Sequence, residues 1–172
     1  MKLSTRFFLV MSLLAFFGLV PSYAIDLGAA APQITAVDQN GNPVNFDDIY
    51  KKGVTLVYFY PKANTPGCTK EACSLRDSFA GLSGRGLHIL GVSEDKKDAQ
   101  KNFQTKYNLP FTLIADNDGA VAKAFGVPAT MGFAKRQSFI VKDGKIAWRD
   151  LNASTSQQAA DVGKALDQLG VK

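Results

Sequence analysis

The stretch VTLVYFYPKANTPGCTKEACSLRD, residues 54–77, decides the fold. Its first seven residues are all β-branched, aromatic or leucine and stop at Pro61, which predicts a fully buried central strand over Val54–Tyr60. Beyond the first cysteine, apolar residues recur three and four positions apart, which predicts a helix over Thr69–Leu82. A buried strand followed at once by a helix is typical of an α/β protein.

The rest of the chain continues this alternation of strands and helices. The alternation predicts a central mixed β-sheet flanked by helices, and Asp143-Gly144 predicts an antiparallel hairpin at its edge. The further predicted strands are Gln33–Val37, a short one from Val44, Leu87–Val92, Phe111–Ala115, Gln137–Val141 and Lys145–Trp148. The further predicted helices are Lys96–Tyr107, Ala120–Phe125 and a last one, capped by Thr155 or Ser156, that ends at Leu169.

Residues 1–24 have the pattern of a secretory signal. Two basic residues precede the uncharged run Phe7–Val20, and small residues stand one and three positions before a cut after Ala24. The run is shorter than the ~20 apolar residues of a membrane span, so we expect no stable membrane insertion after cleavage. An uncleaved anchor is the alternative. The pattern predicts an exported protein, in the bacterial periplasm, with a single domain over residues 25–172.

The composition is that of a globular protein with little net charge. Of the 172 residues, 46% are hydrophobic, which is enough for one domain with a core. Without Lys2 and Arg6, the 20 basic residues become 18 against 15 acidic ones, a net charge of +3. This charge is small and dispersed, so we expect no nucleic-acid binding.

The chain has two cysteines, Cys68 and Cys73, which could be metal ligands, a structural disulfide or a reactive pair. A zinc site needs three or four ligands, and the chain adds only His88, far away in sequence and inside a strand pattern. We therefore predict no metal. In an exported protein two cysteines form an even set, which keeps the structural disulfide as an alternative.

Helix geometry argues against a static disulfide. Five positions along a helix separate two Cα atoms by more than ~8 Å, whereas a disulfide needs them within about 7 Å. A bond between Cys68 and Cys73 therefore requires the first turns of the helix to unwind, which suits a redox cycle better than a staple. A helix N-terminus also favours a thiolate at Cys68.

The motif PKANTPGCTKEAC resembles the active-site motif Pro-x-x-x-Thr-x-x-Cys of the peroxiredoxins. The second cysteine makes it similar to the bacterioferritin-comigratory-protein, or peroxiredoxin Q, branch of that family. The resemblance extends over nearly all of the chain after residue 24, through the stretches APQITAVDQNGNPV, GVSED, FTLIADNDGAVAKAFGV and RQSFIVKDGKI. It implies a thioredoxin-like fold with an N-terminal β-hairpin. The stretch PATMGFAK is short where some relatives carry an insertion, which leaves the preferred peroxide open.

The resemblance also implies a role for each residue of the motif. Cys68 would be the peroxidatic cysteine and Cys73 the resolving cysteine that forms a disulfide with it. Arg136 aligns with the arginine of the active site; from the residues alone it is an ordinary surface charge. Thr65 and Pro61 would be catalytic; from the residues alone, Thr65 is a turn or cap residue and Pro61 ends a strand. Substrate would bind to Thr65, Arg136 and the backbone N–H groups of Gly67 and Cys68.

These roles imply an enzyme without a cofactor. It would reduce hydrogen peroxide and organic hydroperoxides, with a thioredoxin-like dithiol as reductant, and an intramolecular disulfide makes a monomer sufficient. Two other functions compete with this hypothesis. A thiol–disulfide oxidoreductase would need a C-x-x-C pair, which this chain lacks. A non-enzymatic exported binding domain would hold an inert disulfide.

Overall fold

A computed structural model of the protein describes residues 24–172. The predicted signal over residues 1–24 lies outside the described residues apart from Ala24, so the boundary of the domain stays a prediction. No helix within the described range is long and apolar enough to cross a membrane. The strands are β1 (Thr35–Val37), β2 (Pro43–Asn45), β3 (Thr55–Phe59), β4 (His88–Ser93), β5 (Thr112–Ala115), β6 (Ala129–Thr130), β7 (Phe133–Ala134), β8 (Gln137–Lys142) and β9 (Lys145–Asp150). The helices are α1 (Phe46–Tyr50), α2 (Pro66–Asp77), α3 (Phe79–Gly84), α4 (Lys97–Tyr107), α5 (Ala120–Ala124) and α6 (Gln158–Gln168).

The central sheet is mixed, as predicted. Its order is β5-β4-β3-β8-β9. Strand β3 is parallel to β4, β4 is parallel to β5, and the pairs β3–β8 and β8–β9 are antiparallel. The strands β1 and β2 form the expected N-terminal hairpin.

Strand β3 is buried on both faces, which explains its continuous apolar sequence. Leu56 and Tyr58 face one apolar cluster, which includes residues of α2, α4 and α6. Val57 and Phe59 face a second cluster, which includes residues of α1 and α5. Cys68 belongs to the first cluster, so the candidate site lies on the same face of the sheet as Leu56 and Tyr58.

The helix predicted over Thr69–Leu82 differs from the observed one in both its start and its continuity. It begins three residues earlier, because Thr65 has the extended backbone of an N-cap residue and Pro66 occupies the first helical position. It also ends at Asp77, and α3 follows after Ser78, whose backbone is not helical (φ −97°, ψ 2°). The apolar stripe continues across this break, so the sequence pattern did not show it.

The start of the last helix also differs from the prediction. Neither Thr155 nor Ser156 caps α6; its N-cap residue is Gln157, which makes no side-chain capping bond. Instead, the hydroxyl of Ser154 accepts hydrogen bonds from the backbone N–H groups of Ser156 and Gln157, each at 3.2 Å. The loop before the helix therefore ends in a serine turn.

Two small elements were not predicted. Helix α1 has one turn, and the side chain of Asn45 caps it by accepting a bond of 3.0 Å from the N–H of Asp47. The strands β6 and β7 form a hairpin within PATMGFAK, with Met131 (φ 51°) and Gly132 (φ 79°) at its turn. A bond of 2.8 Å from the N–H of Lys135 to the carbonyl of Pro128 closes the base of this hairpin.

Candidate active site

Cys68 lies in the first turn of α2, at the end of the loop that follows β3. Its side chain is 2% exposed. The helix makes its first bond from the N–H of Thr69 to the carbonyl of Thr65, at 2.9 Å. The N–H groups of Gly67 and Cys68 precede that bond, and they find no acceptor among residues 24–172. They are therefore free to donate to a ligand beside the thiol.

The loop before α2 is held by the neighbouring strand β4. The N–H of Ala63 donates to the carboxylate of Asp95 at 2.7 Å, and Ser93 donates to the same oxygen at 2.8 Å. The N–H of Tyr60 bonds to the carbonyl of Val92 at 3.0 Å. These contacts give the GVSED stretch a structural role, because they hold the loop where it leaves the sheet.

Thr65 and Pro61 both belong to this loop. The hydroxyl of Thr65 donates to the carbonyl of Lys62 at 2.9 Å, and it does not cap the helix. Its hydrogen is therefore used in the bond to Lys62, while its oxygen keeps lone pairs that can accept a hydrogen bond. Pro61 is partly buried and follows the end of β3.

Arg136 approaches Cys68 from the start of the neighbouring strand β8. It precedes β8, whose first residue, Gln137, pairs with Phe59 at the end of β3. This register brings the guanidinium to the start of α2, where Nη2 lies 3.2 Å from Sγ of Cys68. The side chain is 17% exposed, so its charge acts in a largely water-free environment.

Glu71 is a site residue that the sequence analysis missed. Its side chain is completely buried, and its Oε2 accepts a hydrogen bond from Nη1 of Arg136. Its Oε1 has no hydrogen-bond partner within the described part of the chain. Burial raises the pKa of Glu71 to about 8, although Arg136 opposes this effect. The sequence holds one indication of this role: Glu71 is a charged residue next to Ala72, which belongs to the apolar face of the helix.

One guanidinium is therefore shared between two acidic groups. Arg136 donates to Cys68 through one nitrogen and to Glu71 through the other. Because burial raises the pKa of Glu71 to about 8, its carboxyl group is mostly protonated at neutral pH. A protonated Glu71 leaves the charge of Arg136 available to a thiolate.

Cys73 lies farther along the same helix and is partly buried. Both thiols are free, and the helix between them is intact.

His88 begins β4 and is half-buried. Within residues 24–172, no group of three or more His, Cys, Asp and Glu side chains is arranged to hold a metal ion.

Two further segments surround the loop and the start of α2. A Cβ atom on Gly67 would lie 3.3 Å from Cγ2 of Thr155 and 3.6 Å from Nη2 of Arg136, so the loop before α6 packs closely against this turn. On the hairpin β6–β7, the ring of Phe133 lies 5.5 Å from the ammonium of Lys62. Met131, at the tip of that hairpin, is 88% exposed.

The fold and this site match one family of proteins. The model of the AhpC/TSA family matches residues 27–149. The chain belongs to this family. Its relatives are peroxiredoxins, a class of thiol peroxidases, which confirms the predicted family and enzyme class.

Two bacterial relatives carry the bacterioferritin-comigratory-protein name, Bcp. The chain is 47% identical to the peroxiredoxin bcp of Coxiella burnetii over 104 residues, which cover 60% of this chain and 68% of that protein. It is 43% identical to peroxiredoxin Bcp of Escherichia coli over 127 residues, which cover 69% of this chain and 81% of that protein. The chloroplastic peroxiredoxin Q of Oryza sativa is 39% identical, but the match spans only 58% of its length.

Solved peroxiredoxin structures share the fold. Peroxidoxin BcpB of Mycobacterium tuberculosis superposes with a TM-score of 0.79 at 28% identity, over 84% of this chain and 98% of that one. The bacterioferritin comigratory protein of Xanthomonas campestris, studied for its alkyl peroxide reduction activity, gives 0.76 at 26% identity, over 87% and 100%. These structures confirm the predicted thioredoxin-like fold.

Replacing Glu71 with glutamine should change how the stability of the protein depends on pH. The pKa of Glu71 is about 8 in the folded protein and 4.5 ordinarily. Between these values the folded protein holds a proton that the unfolded chain has released. The free energy of unfolding of the wild type should therefore fall, relative to that of Glu71→Gln, as the pH rises through this window. The slope is at most about 1.4 kcal/mol per pH unit.

Urea unfolding of both proteins across this pH range measures the effect. Asp77→Asn is the matched control, because Asp77 is an exposed carboxylate on the same helix. Its stability should run parallel to that of the wild type. If Glu71→Gln also runs parallel to the wild type, the carboxyl group of Glu71 does not titrate in this window.

Proposed function

We propose that the protein is a thiol-dependent peroxidase that reduces hydrogen peroxide and organic hydroperoxides, with Cys68 as the attacking thiol. The observation that carries the proposal is the contact of 3.2 Å between Nη2 of Arg136 and Sγ of Cys68 at the start of α2. A guanidinium and a helix N-terminus both stabilise a thiolate. Membership of the AhpC/TSA family and the alkyl peroxide reduction of the Xanthomonas relative support the same substrate class.

In the first step the thiolate of Cys68 attacks the terminal oxygen of the peroxide. A sulfur–oxygen bond forms and the O–O bond breaks. The remaining oxygen takes up one proton and leaves as water or an alcohol. The peroxide gains two electrons, and Cys68 becomes a sulfenic acid.

Negative charge develops on both peroxide oxygens during this step, so the site must supply donors there. Arg136, which lies 3.2 Å from the sulfur, and the free N–H groups of Gly67 and Cys68 at the start of α2 would supply these donors. The Thr65 hydroxyl donates to Lys62, so its oxygen would accept a bond from the O–H of a hydroperoxide. Pro61 would limit the access of water to the thiolate.

In the second step Cys73 attacks the sulfur of the sulfenic acid. Water leaves and a disulfide between Cys68 and Cys73 forms. A thioredoxin-like protein then reduces the disulfide by thiol–disulfide exchange, which returns both thiols. Because both cysteines belong to one chain, a monomer completes the cycle.

The two cysteines can be separated by substitution. Cys68→Ser should abolish peroxide consumption, because the attacking thiol is lost. Cys73→Ser should still consume one equivalent of peroxide but should not turn over with a dithiol reductant. Peroxide assays at stoichiometric and at excess peroxide, with mass spectrometry of the products, check both outcomes. If the wild type gives neither a sulfenic acid nor a disulfide at stoichiometric peroxide, the proposed function is wrong; insulin reduction would then support an oxidoreductase.

Disulfide formation should unwind the start of α2. The Cα atoms of Cys68 and Cys73 are too far apart in a wound helix for a disulfide. Amide hydrogen exchange within residues 68–73 should therefore become fast after one equivalent of peroxide and slow again after reduction. Cys73→Ser is the control and should keep slow exchange under peroxide. Equal protection of the oxidised and reduced wild type would contradict this step.

We also propose that the protein is exported to the bacterial periplasm, where its reductant is a periplasmic or membrane-relayed thioredoxin-like dithiol. The charge and apolar pattern of residues 1–24 supports export. Expression of the full chain in a bacterium should yield a mature protein that begins at Ile25. Intact mass and fractionation of the cells check this; a full-length protein in the cytosolic fraction would contradict it.

A further inference from the structure

Basic side chains flank Cys73 on the surface of α2. Cys73 is partly exposed, whereas Cys68 is 2% exposed, so a protein that acts on both sulfurs approaches from the side of Cys73. Lys70 precedes Cys73 by three positions and Arg76 follows it by three, so both are its neighbours on the helix surface. The hydrogen bond to Asp77 raises the pKa of Arg76 most, and the charge of Cys73 raises it further, so the guanidinium lies within electrostatic reach of this thiol.

The end of α4 adds a third basic side chain to this surface. Nη1 of Arg76 donates a hydrogen bond of 2.9 Å to the carbonyl of Tyr107. The ammonium of Lys106 lies 5.2 Å from the centre of the Tyr107 ring. Tyr107 therefore brings Arg76 and Lys106 together beside Cys73.

Part of this positive charge has no acidic partner. Helices α2 and α4 together carry five basic side chains but only two exposed acidic ones. Each of these two acids forms an ion pair with the basic residue before it, at 2.8 and 2.7 Å. Lys70 and Lys106 are exposed, and within residues 24–172 neither forms a salt bridge. Their charges are therefore available to another molecule.

The part of α2 beyond the second cysteine has its own anchors to the rest of the fold. Leu75 is completely buried, and the hydroxyl oxygen of Ser74 accepts a bond of 3.4 Å from the N–H of Ala159 in α6. The bond from Arg76 to Tyr107 ties the same part to α4. Opening of the turns between the two cysteines thus leaves these anchors in place. A partner meets the same basic surface before and after disulfide formation.

We propose that Lys70, Arg76 and Lys106 form a basic docking surface for the dithiol protein that reduces the Cys68–Cys73 disulfide, and that this protein is acidic around its own thiols. Complementary charges speed the association of two proteins and select among partners. The proposal rests on the proposed peroxidase function. It narrows the reductant to thioredoxin-like proteins with an acidic face.

The test follows the reduction of the preformed disulfide by two probes. One equivalent of peroxide forms the disulfide, and the product is purified before reduction. The first probe is a bacterial thioredoxin of negative net charge, and the second is dithiothreitol, which carries no fixed charge. Rapid mixing, acid quenching and mass spectrometry give the rate constant with each probe at low and high salt. The ratio of the two rate constants separates docking from the reactivity of the disulfide.

Two double variants change the net charge by the same amount at different places. Lys70→Glu with Lys106→Glu reverses the two charges of the docking surface that have no salt bridge. Lys52→Glu with Lys145→Glu is the matched control. Lys52 precedes β3 and Lys145 begins β9, so both exposed lysines lie at the end of the sheet opposite the loop before α2.

The docking variant should react with thioredoxin about tenfold more slowly than the wild type at low salt, the size expected for losing electrostatic steering. High salt should slow the wild type toward the rate of this variant, because salt screens exposed charges. Dithiothreitol should reduce both proteins at the same rate. The control variant should match the wild type with both probes.

Different outcomes overturn different claims. The docking surface is wrong if its variant keeps the wild-type ratio of the two rate constants, if the control variant loses as much, or if thioredoxin does not reduce the wild type while dithiothreitol does. In these cases the peroxidase function stands. If peroxide forms no disulfide in the wild type, the proposed function fails and the docking proposal fails with it. Should the docking variant not fold, Lys106→Glu alone must lower the same ratio, and an unchanged ratio overturns the proposal.

Discussion

The candidate site depends on one guanidinium that is shared between a thiol and a carboxyl group. Arg136 is largely buried and donates to Cys68 and to Glu71. A largely buried positive charge is stabilised by acidic partners nearby, and among residues 24–172 both side chains that accept hydrogen bonds from Arg136 belong to α2. The position of α2 against the sheet and the chemistry at its first turn are therefore set by the same contact. The loop between β3 and α2 is held in addition by Asp95, which follows β4 and accepts a hydrogen bond from the N–H of Ala63.

Local patterns were sufficient to predict most of the fold. Strand β3 and the β8–β9 hairpin were predicted because burial and turn chemistry act over a few residues. The start of α2 differs from the prediction because the apolar stripe begins after Cys68, whereas the helix begins at Pro66, a residue that favours the first helical position. The hairpin β6–β7 was missed because its two-residue strands are too short to show a period.

The site was predictable only in part, because sequence patterns show interactions between residues that are close together in the chain. Cys68 at a helix start follows from the sequence around it. Arg136 came only from the resemblance to a family, because nothing near it in sequence distinguishes it from Lys135. Glu71 was overlooked because its partner lies 65 positions away. A tertiary contact of that kind leaves one local trace, a charged residue on the inward face of a helix.

The closed base of the β6–β7 hairpin makes the position of the candidate site independent of the length of the hairpin. The bond between Lys135 and Pro128 brings the two ends of this segment together immediately before Arg136. Residues can be added or removed beyond that bond without shifting the register of β8 against β3, which is fixed by its own ladder. The segment between Pro128 and Lys135 can therefore vary in length without disturbing the sheet. A longer hairpin would change the surface beside Lys62 and Phe133 and leave the contact between Arg136 and Cys68 unchanged.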